Sequence, residues 1–209
     1  MGDPPANPAS FPKLTERNRL LGALLPERTC YDVLHYDINI DIDVDKKFIK
    51  GYVDITADAK SDFTVLQVDL AKDMQLNGVY YLENKLETTR REDAVLVTFP
   101  QVYAGNDFKF RVAYEGKPLE ASRPPWDGGF VWEKDLKGRP FVSVACEGDG
   151  SGLWWPLKDH ISDEPDKGAK MTFTVPSELF CVSNGKLVNT NEDVEIGKKS
   201  YTWKVNNDY

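Results

Sequence analysis

Tyr36-Asp37-Ile38-Asn39-Ile40-Asp41-Ile42-Asp43-Val44-Asp45 alternates without a break. Tyr36, Ile38, Ile40, Ile42 and Val44 fall on one side of an extended chain; Asp37, Asn39, Asp41, Asp43 and Asp45 fall on the other. A period of two is the signature of a half-buried strand, so one face is expected in a core and the other in water. The row of carboxylates invites a calcium reading. A calcium loop starting at Asp41 would need glycine at its sixth position and glutamate at its twelfth. Lys46 and Tyr52 stand there, so the acidic face is read as a solvated one.

The same pattern runs outward from this strand. Asp45-Lys46-Lys47 reads as a turn, and Lys50 to Ala59 returns as a hairpin partner, with Tyr52 or Val53 in phase with Ile55 and Ala57. Val65 to Leu70, Met74 to Leu82 (through Leu76, Val79 and Tyr81), Val95 to Phe99 and Phe108 to Tyr114 follow as short strands. Phe130 to Trp132 and Pro140 to Val144 bracket a turn at Leu136-Lys137-Gly138. Lys170 to Val175 and Phe180 to Ser183 are further strands, with a hairpin turn at Asn184-Gly185. Leu187-Val188 and Ser200 to Val205 complete the chain. Short strands at near-regular spacing predict an all-β twisted sheet or sandwich. The one helical signal lies in Leu14 to Leu25, where Thr15 is placed to cap a short helix carrying Leu20, Leu21, Leu24 and Leu25, with Pro26 ending it. Residues 1–13, rich in Pro, Ala and Asn, are expected to be a disordered lead to a single β-rich domain over 14–209.

Composition narrows the function. The chain has 209 residues, a net charge of -8 and three cysteines. That length allows one β-rich domain with a substantial core. The acidic balance argues against a basic face for nucleic acid. There is no apolar run long enough for a transmembrane helix. No signal-peptide stretch is present; the compartment stays open, with export (periplasmic or secreted) expected only if a leader was removed ahead of Met1-Gly2. Cys30, Cys146 and Cys181 are far apart and form no CxxC pair. His35 and His160 are the only histidines and are not four residues apart, so no HExxH zinc helix can form.

One stretch breaks the alternation. Val144 to Asp166, VACEGDGSGLWWPLKDHISDEPD, holds Trp154 and Trp155, the glycines Gly148, Gly150 and Gly152, and His160. It reads as an ordered loop, and loops on a rigid scaffold are where function concentrates. The tryptophans are bulky anchors, and glycines permit close backbone approach. Asp159, His160, Asp163 and Glu164 form its polar cluster. An Asp-His pair suggests a nucleophilic relay, but Ser151 and Ser162 are merely near and neither is placed as a nucleophile.

Cys146-Glu147, then Leu153-Trp154-Trp155-Pro156, Asp159, Asp163-Glu164-Pro165, TVPSEL at 174–179 and VSNGKL at 182–187 occur in a telling order. It resembles the N-terminal domain of aminopeptidase N-type zinc metallopeptidases, a family that includes the leukotriene hydrolases. The resemblance extends, more weakly, from about Tyr31 to the C-terminus. It implies a saddle-shaped β domain lying against a catalytic domain that this chain lacks, with zinc held by that other domain and none here. The parent enzyme would remove single residues from peptide N-termini. The resemblance makes Asp159 or Asp163 structural, fixing the loop by accepting backbone N–H bonds, and it also implies a site. The family carries a Gln/Glu-x-Gln/Glu pair at a strand end, whose second member helps bind the substrate's free amino group, as an oxygen acceptor must at the end of a closed cleft. The matching residues are Ala145, Cys146 and Glu147. Glu147 keeps the second position; Ala145 departs from the first. The implied partners are the missing catalytic domain and a peptide. A reading from a different class is a stand-alone β-sandwich module that binds carbohydrate on exposed Trp126, Trp132, Trp154 or Trp155.

Overall fold

A computed structural model describes residues 13–206. The expected lead over 1–13 lies, but for Lys13, outside the described residues. The opening strand is β1 (Tyr31–Asp43), paired antiparallel along its length with β2 (Phe48–Ala59). Tyr36, Ile38 and Ile40 are buried and Ile42 packs on the core, as the alternation predicts. Val44 does not join them. The strand ends at Asp43, whose Oδ1 accepts the Lys46 N–H at 3.0 Å, and residues 44–47 make the turn. In β2 the inward phase is Val53, Ile55 and Ala57, all fully buried. Tyr52 takes the outer face, with the Arg111 guanidinium 3.8 Å above its ring.

The remaining strands are β3 (Phe63–Asp69), β4 (Gln75–Tyr81), β5 (Asn84–Lys85), β6 (Glu87–Arg91), β7 (Ala94–Val102), β8 (Asp107–Gly116), β9 (Gly129–Lys134), β10 (Pro140–Ala145), β11 (Ala169–Pro176), β12 (Lys186–Asp193) and β13 (Lys198–Val205). They form an eight-stranded sheet in the order β12-β13-β11-β1-β2-β8-β4-β5, a three-stranded sheet β3-β7-β6 and a two-stranded β10-β9. The β1–β11 pairing is parallel. The fold is all-β, as expected. Its core lies between the large sheet and the three-stranded one: Val53, Ile55, Phe110 and Val112 from the former meet Leu66, Val68, Val95 and Val97 from the latter. Phe99 centres an aromatic cluster, with the rings of Phe63, Phe108 and Phe110 edge-on to it at 5.4–5.9 Å. Edge-on geometry sets the positive ring edge against the negative face, a gain beyond area burial.

Some expectations needed correction. The spacing of three between Leu76 and Val79 breaks strict alternation, and a bulge between Leu76 and Gly78 restores the phase. Phe180 to Ser183 is not a strand. The chain turns at Pro176, whose carbonyl accepts the Leu179 N–H at 3.0 Å, and the Tyr201 hydroxyl then holds the Leu179 carbonyl. The segment thus leaves the sheet and pairs with no strand among the described residues. Asn184-Gly185 is a bend before β12, and the hairpin falls at 194–197 between β12 and β13. Helix α1 (Glu16–Gly22) has the expected Thr15 cap, with the Asn18 N–H donating to the Thr15 hydroxyl at 3.1 Å. Pro26 does not end a helix through Leu24 and Leu25. It opens a second short helix, α2 (Pro26–Thr29), where its missing N–H costs nothing.

Candidate functional site

Ala145 is the last residue of β10, paired with Gly129 at the start of β9. The chain then turns from Cys146 to Gly150, closed by the Gly150 N–H donating to the Cys146 carbonyl at 3.0 Å. Gly148 and Gly150 both have φ of 80°, a conformation that disfavours any side chain. Glu147 stands in this turn. It is exposed, and its carboxylate makes no hydrogen bond or ion pair among the described residues. Ala145 and Cys146 are half-buried. Burial pushes the Cys146 thiol up, opposed by nearby Trp154 and Ser151. The three predicted residues therefore sit together at one strand end, with Glu147 alone presenting a charged group to solvent.

Behind the turn, the loop is bolted to the core. A 3-10 turn (Ser151–Leu153) leads into the tryptophans. Trp154 lies edge-on to Phe130 at 5.5 Å and stacks on Phe173 at 6.2 Å; Trp155 meets Tyr36 at 5.2 Å. Trp132 stacks on Phe130 at 5.1 Å. These are packing anchors. Of the four tryptophans offered as a sugar platform, only Trp126 is largely exposed, at 75%.

The polar cluster fixes the loop. The Asp159 carboxylate accepts the Gly152 N–H at 2.8 Å, and its own N–H donates to Asp69 Oδ2 at 2.9 Å. Asp163 accepts the Val33 N–H and pairs with the Lys158 ammonium, both side chains being almost wholly buried. Lys158 also donates to the Tyr31 carbonyl and lies over the Tyr31 ring at 4.7 Å. Burial raises the pKa of Asp163, which Lys158 opposes, and likewise that of Asp69, which Arg28 opposes. His160 Nδ1 lies 2.8 Å from the Ser162 hydroxyl and accepts the Ser162 N–H, a local contact that leaves Asp159 bonded elsewhere. No relay is assembled.

Arg28, Gln67, Asp69 and Lys158 are the residues that sequence reading missed. Arg28 donates twice to Asp69 and once to the Leu20 carbonyl, and Gln67 Nε2 bonds both Asp69 and Leu20. The available signal was Gln67 and Asp69 alternating with apolar residues in β3, which resembles an ordinary wet face. Among the described residues no group of histidine, cysteine, aspartate and glutamate side chains is placed to hold a metal ion. His35 on β1 and His160 in the loop belong to separate environments, so the donor set does not fit a catalytic zinc. No helix of the described residues is long and apolar enough to cross a membrane.

No family model matches the sequence. No curated protein does. Solved structures do match in fold. An M1 zinc metallopeptidase from Deinococcus radiodurans, bound to a Tyr-Ser-Ala substrate, aligns with a TM-score of 0.67 at 22% identity, over 89% of this chain and 41% of that one. Native leukotriene A4 hydrolase from Saccharomyces cerevisiae aligns with a TM-score of 0.61 at 16% identity, over 97% of this chain and 30% of the other. At such identities the likeness is one of fold. The chain spans less than half the length of these proteins. They fall in the same class that the order of motifs resembles.

Proposed function

We propose that this chain is the non-catalytic N-terminal domain of a zinc-dependent aminopeptidase that removes single residues from peptide N-termini. The observation that carries this reading is the fold match over 89% of the chain to two fifths of a metallopeptidase solved with a peptide. The order of motifs from Cys146 to Leu187 supports it independently. Zinc and the bond-breaking groups would belong to a catalytic domain that is the chain's main partner. Val144, exposed on β10 beside the Glu147 turn, gives that domain apolar surface to cover.

Within that reading, Glu147 receives the substrate's terminal ammonium. Its exposed carboxylate has no partner of its own to give up, and an ammonium entering a narrow cleft needs an anion to replace its water. Anchoring the amine one residue from the scissile bond would restrict cleavage to single residues. Ala145 offers only backbone at the place where the family has a second acceptor, so Glu147 would hold the ammonium with less help. The cheapest test is the coding frame beyond Tyr209. An HExxH segment downstream supports the assignment; a stop codon directly after Tyr209 sinks it.

A further inference from the structure

The Glu147 turn is joined to the buried core by a short chain of contacts that ends in an ion pair, and Asp159 is the link in the middle. Gly150, which closes the turn, lies against the Asp159 side chain so closely that a Cβ built on it would come 2.1 Å from Asp159 Oδ2. That same oxygen accepts the Gly152 N–H at 2.8 Å. The Gly152 carbonyl in turn accepts the Ala71 N–H at 2.7 Å, just past the end of β3. The Asp159 N–H is held by Asp69, and Asp69 is clamped by Arg28. Within the turn itself the Gly150 N–H bonds the Cys146 carbonyl, while the Glu147 carboxylate has no partner among the described residues and Gly148 has open space around it.

We infer that Asp159 is a positioning residue, which sets where Glu147 stands by holding the Cys146–Gly150 turn through Gly150 and Gly152. The inference rests on the proposed ammonium-binding role of Glu147 for its consequence in catalysis, though not for the mechanical link itself. Glycine at 150 is part of the device, because its left-handed backbone and missing side chain let the carboxylate sit directly against the turn. Asparagine at 159 keeps one oxygen acceptor for the Gly152 N–H and should preserve the geometry, whereas alanine abolishes it.

Two measurements separate the link from the site. In the 209-residue chain, the half-buried Cys146 thiol reports on the turn, and Cys181, also half-buried, serves as internal control. Asp159→Ala and Gly150→Ala should each raise the labelling rate of Cys146 about tenfold, as a locally opened segment does, with Cys181 unchanged and Asp159→Asn near wild type. Equal acceleration of both cysteines, or of neither, would overturn the inference. In the enzyme carrying this domain, Asp159→Ala should raise KM for a free-amine substrate about tenfold or more, the scale of a misplaced binding group. It should have no further effect once Glu147→Ala is present. Additive losses would show that Asp159 acts elsewhere and refute the inference while leaving Glu147 in place. A silent Glu147→Ala would instead refute the ammonium site, and the labelling result would still decide the link.

Discussion

The Asp69 carboxylate and the Arg28 guanidinium face each other in two hydrogen bonds of 2.7 and 2.9 Å, with both side chains sealed from solvent. They join the N-terminal helical segment to β3, and Asp69 has spare acceptor capacity for Gln67 and for the Asp159 N–H. Removing one member leaves the other charged and unpaired in a dry site. Arg28→Met or Asp69→Leu should therefore cost on the order of 3–5 kcal/mol. Arg28→Met combined with Asp69→Leu should cost less than the two single changes added together, because no orphan charge remains. Chemical denaturation of the four proteins checks this. Strictly additive losses would contradict a coupled pair.

A pH dependence follows from His35. Burial in β1 lowers its pKa from the ordinary value of 6.5, reinforced by Lys170, Lys204 and Lys109 and opposed by Asp37. The folded protein therefore binds its proton less readily than the unfolded chain does. The stabilisation is present above 6.5 and is lost as pH falls from there toward the folded value. The slope should be well below the ~1.4 kcal/mol per pH unit of a full proton, since the ring is only half-buried. Asp69 and Asp163, whose pKa values are raised, act in the opposite direction at lower pH, so the comparison must be with His35→Gln. Denaturation midpoints from pH 7 to 5 should fall more steeply for wild type than for the variant. Parallel curves would contradict the assignment.

The isolated chain should neither hold stoichiometric zinc nor cleave peptides. Its two histidines lie in separate environments, and no donor cluster exists among the described residues. Metal analysis after dialysis, with aminoacyl-anilide hydrolysis, checks this. Bound zinc with turnover abolished by a chelator would overturn it.

The fold was legible wherever one face of a strand met the core and the other met water. Tyr36 to Asp43 is the clearest case, because the period of two leaves no other solution. Phe180 to Ser183 misled for the same reason in reverse: apolar residues suggest a strand, but Phe180 is spent on the Tyr201 ring at 4.8 Å and the segment joins no sheet among the described residues. β5 and β6 carry few apolar residues and could not be seen from periodicity. The candidate site was legible only as an ordered motif string. Its supports were not, because Asp69 and Arg28 lie 41 positions apart and each looks like a surface residue until the loop at Leu157 to Asp159 closes over β3. Burial of a charged pair is a tertiary fact, and no local pattern in the chain encodes it.

Glu147 carries the proposed site, and steady-state kinetics of Glu147→Ala in the enzyme carrying this domain tests that role most directly. The side chain is exposed and unpaired, so the melting temperature should not change. Loss of the carboxylate would leave the substrate ammonium uncompensated, at roughly 2–4 kcal/mol, so kcat/KM on a free-amine substrate should fall about 30- to 1000-fold. Wild-type kinetics would contradict the account, and a collapse in melting temperature would make Glu147 a structural residue of its loop.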